Sequence, residues 1–144
     1  MRSVSVLEEA RRFAGTPICS GIILSLLGLA LWTGLSFWAG LATDELGFRL
    51  REAWDAPAYF YVGMPLMMAA VGIAGFMQPR RAWRWPVSLV AGHQVGMFVV
   101  GLGMQSGPSL LILTLALAII LAAFLFIPAL LGSTAARMLA DRVY

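Results

Sequence analysis

Four long apolar segments alternate with three short polar connections along this chain. They cover about residues 17–42, 57–77, 86–104 and 110–132. A helix needs roughly 20 residues to cross a bilayer, and each segment is at or near that length. Every backbone N–H and C=O in hydrocarbon must be satisfied internally, so such segments form helices or a closed barrel. None of them alternates with period two, which excludes the barrel. The pattern predicts an all-α polytopic membrane protein. Four transmembrane helices form an antiparallel bundle, a single membrane domain over residues 1–144.

Local signals refine the boundaries. Thr16-Pro17 reads as the N-cap and first residue of the first helix. Trp32, Phe37 and Trp38 close that span with rings suited to a membrane interface, marking its outer boundary. Ala53-Trp54-Asp55-Ala56-Pro57 and Ala82-Trp83-Arg84-Trp85-Pro86 share the pattern A-W-x-x-P. Each places proline where a helix begins without losing a hydrogen bond. Pro65 and Pro128 fall inside the second and fourth spans and predict kinks. Starting the second span after Pro65 would leave it too short to cross. The turn Gln105-Ser106-Gly107-Pro108-Ser109 joins the last two spans as a hairpin.

The connections carry weaker periodicities. Leu7, Ala10 and Ala14 recur at helical spacing, so residues 1–14 read as an amphipathic interfacial helix. Leu46, Leu50 and Trp54 do the same in the first connection, with Glu45 and Arg49 at i and i+4. That pattern predicts a short helix within 43–56 lying on the outer surface, its Trp and Leu dipped into the headgroups.

Composition supports the membrane reading. Hydrophobic residues make up 60% of the chain and charged residues 12%, against about 25% charged in a soluble domain. All ten basic residues are arginine. Arg2, Arg11 and Arg12 precede the first span; Arg80, Arg81 and Arg84 lie between spans two and three; Arg137 and Arg142 follow the last. The first connection holds Arg49 and Arg51 beside Asp44, Glu45, Glu52 and Asp55. The positive-inside rule therefore sets both termini in the cytoplasm. The lone Cys19 excludes an intrachain disulfide and packs as a small apolar residue.

Candidate chemistry is sparse. No Asp, Glu or Arg lies within the four apolar segments, which argues against a charge-coupled carrier. His93 is the only histidine. It is a candidate haem or metal ligand, or a neutral imidazole bonded to a neighbouring helix. Met64 and Met68 form M-x-x-x-M on the second span, and Met97 lies at similar depth on the third. Such thioethers suit Cu(I), though methionine also fills apolar cores. Gly92 and Gly96 form G-x-x-x-G, a helix-packing face within the bundle or between protomers. Arg51, Glu52 and Asp55 form an outer-face polar cluster, either an acid/base pair or a solvated surface. Arg80, Arg81 and Arg84 form a cytoplasmic basic loop.

The pairing of M-x-x-x-M with G-x-x-x-G resembles eukaryotic-type copper transporters. Those have three spans and a methionine-rich outer tail; this chain has four spans and no such tail. The stretches 51–59 and 79–85 are similar to those of small four-span inner-membrane proteins of proteobacteria. That resemblance implies a bacterial inner membrane and four spans, but no activity.

The expected role is a small integral membrane subunit or accessory protein that packs against itself or other membrane subunits, without catalysis or cofactor. The alternative is a homo-oligomeric channel or a small-solute or metal-ion transporter, copper included. A haem or redox membrane subunit comes third, and an outer-face enzyme fourth. The bilayer is the environment, and no nucleic-acid partner is expected.

Overall fold

The computed structural model describes residues 16–41, 52–103 and 109–141. Within them lie four long helices: α1 (Pro17–Leu41), α2 (Met64–Met77), α3 (Arg84–Gly103) and α4 (Ser109–Asp141). No described residue is in a strand. A π-turn, Tyr59–Gly63, leads into α2, and 3-10 turns occupy Ala53–Asp55 and Pro79–Arg81. Four segments are long and apolar enough to cross a membrane: Ile18–Gly40, Tyr59–Met77, Arg84–Leu102 and Thr114–Asp141.

The helix starts follow their sequence signals. The Cys19 backbone N–H donates to Thr16 Oγ1 at 3.5 Å, so Thr16 caps α1. Pro65 sits in the first turn of α2. It lacks the N–H that would bond Tyr61, and the turn before it is widened. The Met64 N–H reaches back five residues to the Tyr59 carbonyl. The kink predicted at Pro65 thus takes the form of a π-turn that lets the span run on. Pro128 is carried inside a continuous α4.

Helix α1 packs mainly on α3, and α2 on α4. Small residues make both contacts close. A Cβ at Gly92 would strike the Ser25 backbone, one at Gly28 the Leu89 carbonyl, and one at Gly96 would lie 3.0 Å from Trp32 Cβ. The Ser25 hydroxyl donates to the Ser88 carbonyl at 2.7 Å. Positions rise together along both helices, so α1 and α3 run in the same direction. Gly75 abuts Ala129, and Gly132 abuts Gly72, in a second seam of the same kind. The G-x-x-x-G face of α3 is therefore occupied by α1 of the same chain.

The core holds Trp32, Met67, Val71, Trp85, Leu89 and Leu125, each 0–1% exposed. Trp32 departs from expectation. It is buried in the core, whereas Phe37 and Trp38 face outward. Its indole has aromatic partners on three sides, which the single-residue signal of interfacial tryptophan ignores. Trp54 also departs. Only its 3-10 turn is described from the predicted outer-surface helix, and the ring turns inward onto Trp32 at 4.9 Å between centroids. Ala53 beside it is fully buried, so this end of the connection is tucked into the bundle.

Residues 1–15, most of the predicted outer helix, Arg51 and the turn at 104–108 lie outside the described residues.

Candidate functional site

The polar groups buried in the apolar interior collect around Trp32. Its ring makes edge contacts with Trp54, with Tyr59 at 5.8 Å and with His93 at 4.7 Å. Three elements supply these side chains: α1 gives Trp32, the 52–59 segment gives Trp54 and Tyr59, and α3 gives His93. Gly92 and Gly96 flank His93 and let α3 sit close enough to α1 for the imidazole to reach the Trp32 ring.

Tyr59 Oη and His93 Nε2 are 3.1 Å apart. Either group can donate, Tyr59 Oη–H to Nε2 or Nε2–H to Oη, according to the imidazole tautomer. Nδ1 is buried and has no hydrogen-bond partner, as are Trp32 Nε1, Trp85 Nε1 and Ser36 Oγ. An orphan of this kind costs about 1–3 kcal/mol, so His93 combines a tied nitrogen with an unpaired one.

Beside this group lies a cavity of about 420 Å³. Trp54, Tyr59, Phe60 and Met64 wall one side, His93 and Gln94 another, and Leu117, Ile120, Leu121 and Phe124 of α4 the third. Phe60, Ile120 and Phe124 are also exposed on the outer face of the helices. The cavity therefore reaches the lipid-facing surface where α2 and α4 part. Gln94 Nε2 lies 3.3 Å from Met97 Sδ, a weak acceptor.

At the other end of this wall, Trp54 donates a hydrogen bond to the Glu52 carboxylate. Burial raises the Glu52 pKa above its ordinary value, and the neighbouring Asp55 charge adds to the rise; the Trp54 hydrogen bond opposes both. Asp55 itself is exposed. The two carboxylates share one turn, but no second element brings a base, nucleophile or cation to them among the described residues.

The other predicted positions separate. Met64 lines the cavity, Met97 is buried and paired with Gln94, and Met68 is half-buried. Among the described residues, no group of three His, Cys, Asp or Glu comes together to hold a metal ion. Arg80, Arg81 and Arg84 are exposed, and Arg84 stacks over the Trp83 ring at 5.4 Å. Arg137 of α4 donates to the Pro79 carbonyl at 3.3 Å, so α4 and the basic loop meet at one end.

Tyr59 and Phe124 are site residues that the sequence patterns did not assign to a site, and Trp32 reads from sequence as an interface ring rather than a site residue. The available signal was Tyr59 itself, a polar-tipped ring just inside an apolar span. Its pairing with the lone histidine is a tertiary fact.

These features define a multi-pass helical membrane protein with a buried Tyr–His pair beside a cavity open to the lipid-facing side. Comparison with protein-family models, curated proteins and solved structures found no match.

Proposed function

We propose that this chain is a small integral subunit or accessory protein of a bacterial inner membrane, acting through helix packing rather than catalysis. One observation carries the reading. Ile120, Phe124, Ile127, Leu131 and Met138 of α4 are all exposed and fall within one narrow stripe at 100° per residue. The stripe is about 27 Å long at 1.5 Å per residue. It continues one residue past Arg137, the residue bonded to the basic loop. A stripe meant for lipid alone has no reason to run past the level of that loop. A partner helix does.

The antiparallel arrangement is supported by two contacts. Gln78 Nε2, at the end of α2, donates to Ser20 Oγ near the start of α1 at 3.1 Å. Tyr59, ahead of α2, meets Trp32 in the later half of α1. Both termini on the cytoplasmic side is the orientation favoured by Arg80, Arg81, Arg84 and Arg137 gathering at one end. The G-x-x-x-G face is used within the chain, which leaves α4 as the partner surface.

Native mass spectrometry of the protein, gently extracted from its own membranes, tests the reading. A stoichiometric complex with other polypeptides, dispersed by Met138→Glu, is expected. A closed homo-oligomer free of other chains overturns it in favour of a pore or carrier.

A further inference from the structure

We propose that the basic turn between α2 and α3 is a binding site for one anionic phospholipid, whose phosphate is held by Arg80 and Arg81 and whose acyl chains lie along α2.

Three observations lead there. The first is a cavity of about 280 Å³ lined by Gln78, Pro79, Arg80 and Arg81. It lies at the small end of ligand sites, with room for a phosphate diester and its glycerol but not for acyl chains. The second is that the backbone around it is braced from three directions. Gln78 Nε2 donates to Ser20 Oγ of α1 at 3.1 Å, the Pro79 carbonyl accepts from Arg137 of α4 at 3.3 Å, and the Arg81 N–H closes the turn on the Gln78 carbonyl at 3.3 Å. Both cavity arginines stay exposed. Their charge is uncompensated along the chain, since no Asp or Glu occurs between Asp55 and Asp141. Asp141 is exposed one turn beyond Arg137. The third is an apolar track. Leu66, Ile73 and Met77 of α2 are all exposed and fall within about 40° of one another at 100° per residue. The track is about 16 Å long at 1.5 Å per residue, half of the roughly 30 Å hydrocarbon core. It ends one residue before Gln78.

Together these features select the ligand. The positive-inside rule asks for arginine in a loop, but for neither a cavity nor a braced backbone. A localised phosphate uses all of them, and guanidinium forks match its oxygens in pairs. A soluble phosphate would meet the same arginines and leave the apolar track unused. Trp83 is exposed, with the Arg84 guanidinium 5.4 Å over its ring, a pairing suited to the headgroup level beside the cavity. No residue of the cavity or the track belongs to the α4 stripe, so the site is independent of the partner surface on that helix.

The test is native mass spectrometry of the full chain released from non-ionic detergent, with phosphatidylglycerol or phosphatidylcholine of the same acyl chains titrated in. Phosphatidylglycerol is expected to occupy one tight site, and phosphatidylcholine to bind it at least about tenfold more weakly, the scale of one charge-assisted hydrogen bond. Arg80→Gln and Arg81→Gln, at exposed positions, should each weaken phosphatidylglycerol binding by about tenfold on the same scale, with the lipid-free unfolding temperature unchanged. Arg84→Gln removes an equal charge from outside the cavity and should keep the tight site. Glycerol phosphate in molar excess over the lipid should not displace it. Equal affinity for the two lipids, an equal loss in Arg84→Gln, displacement by glycerol phosphate, or unchanged affinity in both cavity variants would each overturn the proposal.

Discussion

Replacing Gly92 with alanine tests the packing account most directly. A Cβ there would meet the carbonyl oxygen, carbon and Cα of Ser25, all backbone atoms of α1. No rotamer change relieves a clash with backbone, so α1 and α3 must move apart. That movement stretches the 2.7 Å bond from Ser25 Oγ to the Ser88 carbonyl and loosens His93 against Trp32. Overpacking of this kind costs about 1–3 kcal/mol, and the rigid partner puts Gly92 at the upper end. Losing a neutral hydrogen bond adds roughly 1 kcal/mol. Alanine's better helix propensity returns about 1 kcal/mol. The net expectation is destabilisation by about 3 kcal/mol. Gly34 and Gly101 are internal controls, since a Cβ at either meets nothing within 4 Å. Gly34→Ala and Gly101→Ala should leave stability unchanged or raise it by up to about 1 kcal/mol. Gly96→Ala should fall between, because its near neighbour is the Trp32 side chain at 3.0 Å. Reversible unfolding of the purified variants in mixed micelles measures all four. A Gly92→Ala protein as stable as Gly101→Ala would refute the close α1–α3 contact.

Two further perturbations probe the site. Tyr59→Phe removes the partner of His93 Nε2 and should cost about 1–3 kcal/mol; in a double-mutant cycle with His93→Leu the losses should be clearly less than additive, and strict additivity would argue against the 3.1 Å pair. Glu52→Gln tests burial at the turn over Ala53–Asp55 by pH. The folded state holds the Glu52 proton more tightly than the unfolded chain, whose reference value is 4.5. The favourable contribution is therefore fully present below that value and lost as pH rises through the higher folded one. Unfolding midpoints of Glu52→Gln and wild type should converge near pH 4 and separate in favour of the variant near pH 7; the opposite order would show a carboxylate stabilised when charged.

The spans, their proline starts and the Thr16 cap were legible because each rests on local chemistry. Apolar length, a missing N–H and a hydroxyl at an N-cap act on the residues beside them. The G-x-x-x-G face was legible for the same reason, although its partner was not. That partner was written more faintly, in Gly21, Ser25 and Gly28 of α1, whose three- and four-residue spacing repeats the small-residue logic with a serine in the middle. Trp32 was misplaced because a tryptophan near a span's end serves equally as interface anchor or core ring, and only its neighbours decide. Those neighbours, Trp54 and His93, are 22 and 61 positions away in sequence. The Tyr59–His93 pair was hidden similarly. Each residue had an ordinary explanation alone, and an apolar chain offers no charge pattern to connect them.

The cavity follows from how small residues are distributed. On α1 and α3 they extend through much of the contact, from Gly21 and Ser88 to Gly96 opposite Trp32, and the two helices stay together. Between α2 and α4 the glycine contacts with backbone lie in one half, at Gly72, Gly75, Ala129 and Gly132. Beyond that half the facing positions are large: Phe60 and Met64 on one side, Leu117, Leu121 and Phe124 on the other. Pro65 and its π-turn fall where the character changes. Helices held by backbone contact at one end and spaced by bulky side chains at the other must diverge, and the wedge between them opens toward lipid. A seam of glycine along the full length would have closed it. The half-length seam leaves room beside His93, which is also where the structure keeps its unpaired imidazole nitrogen.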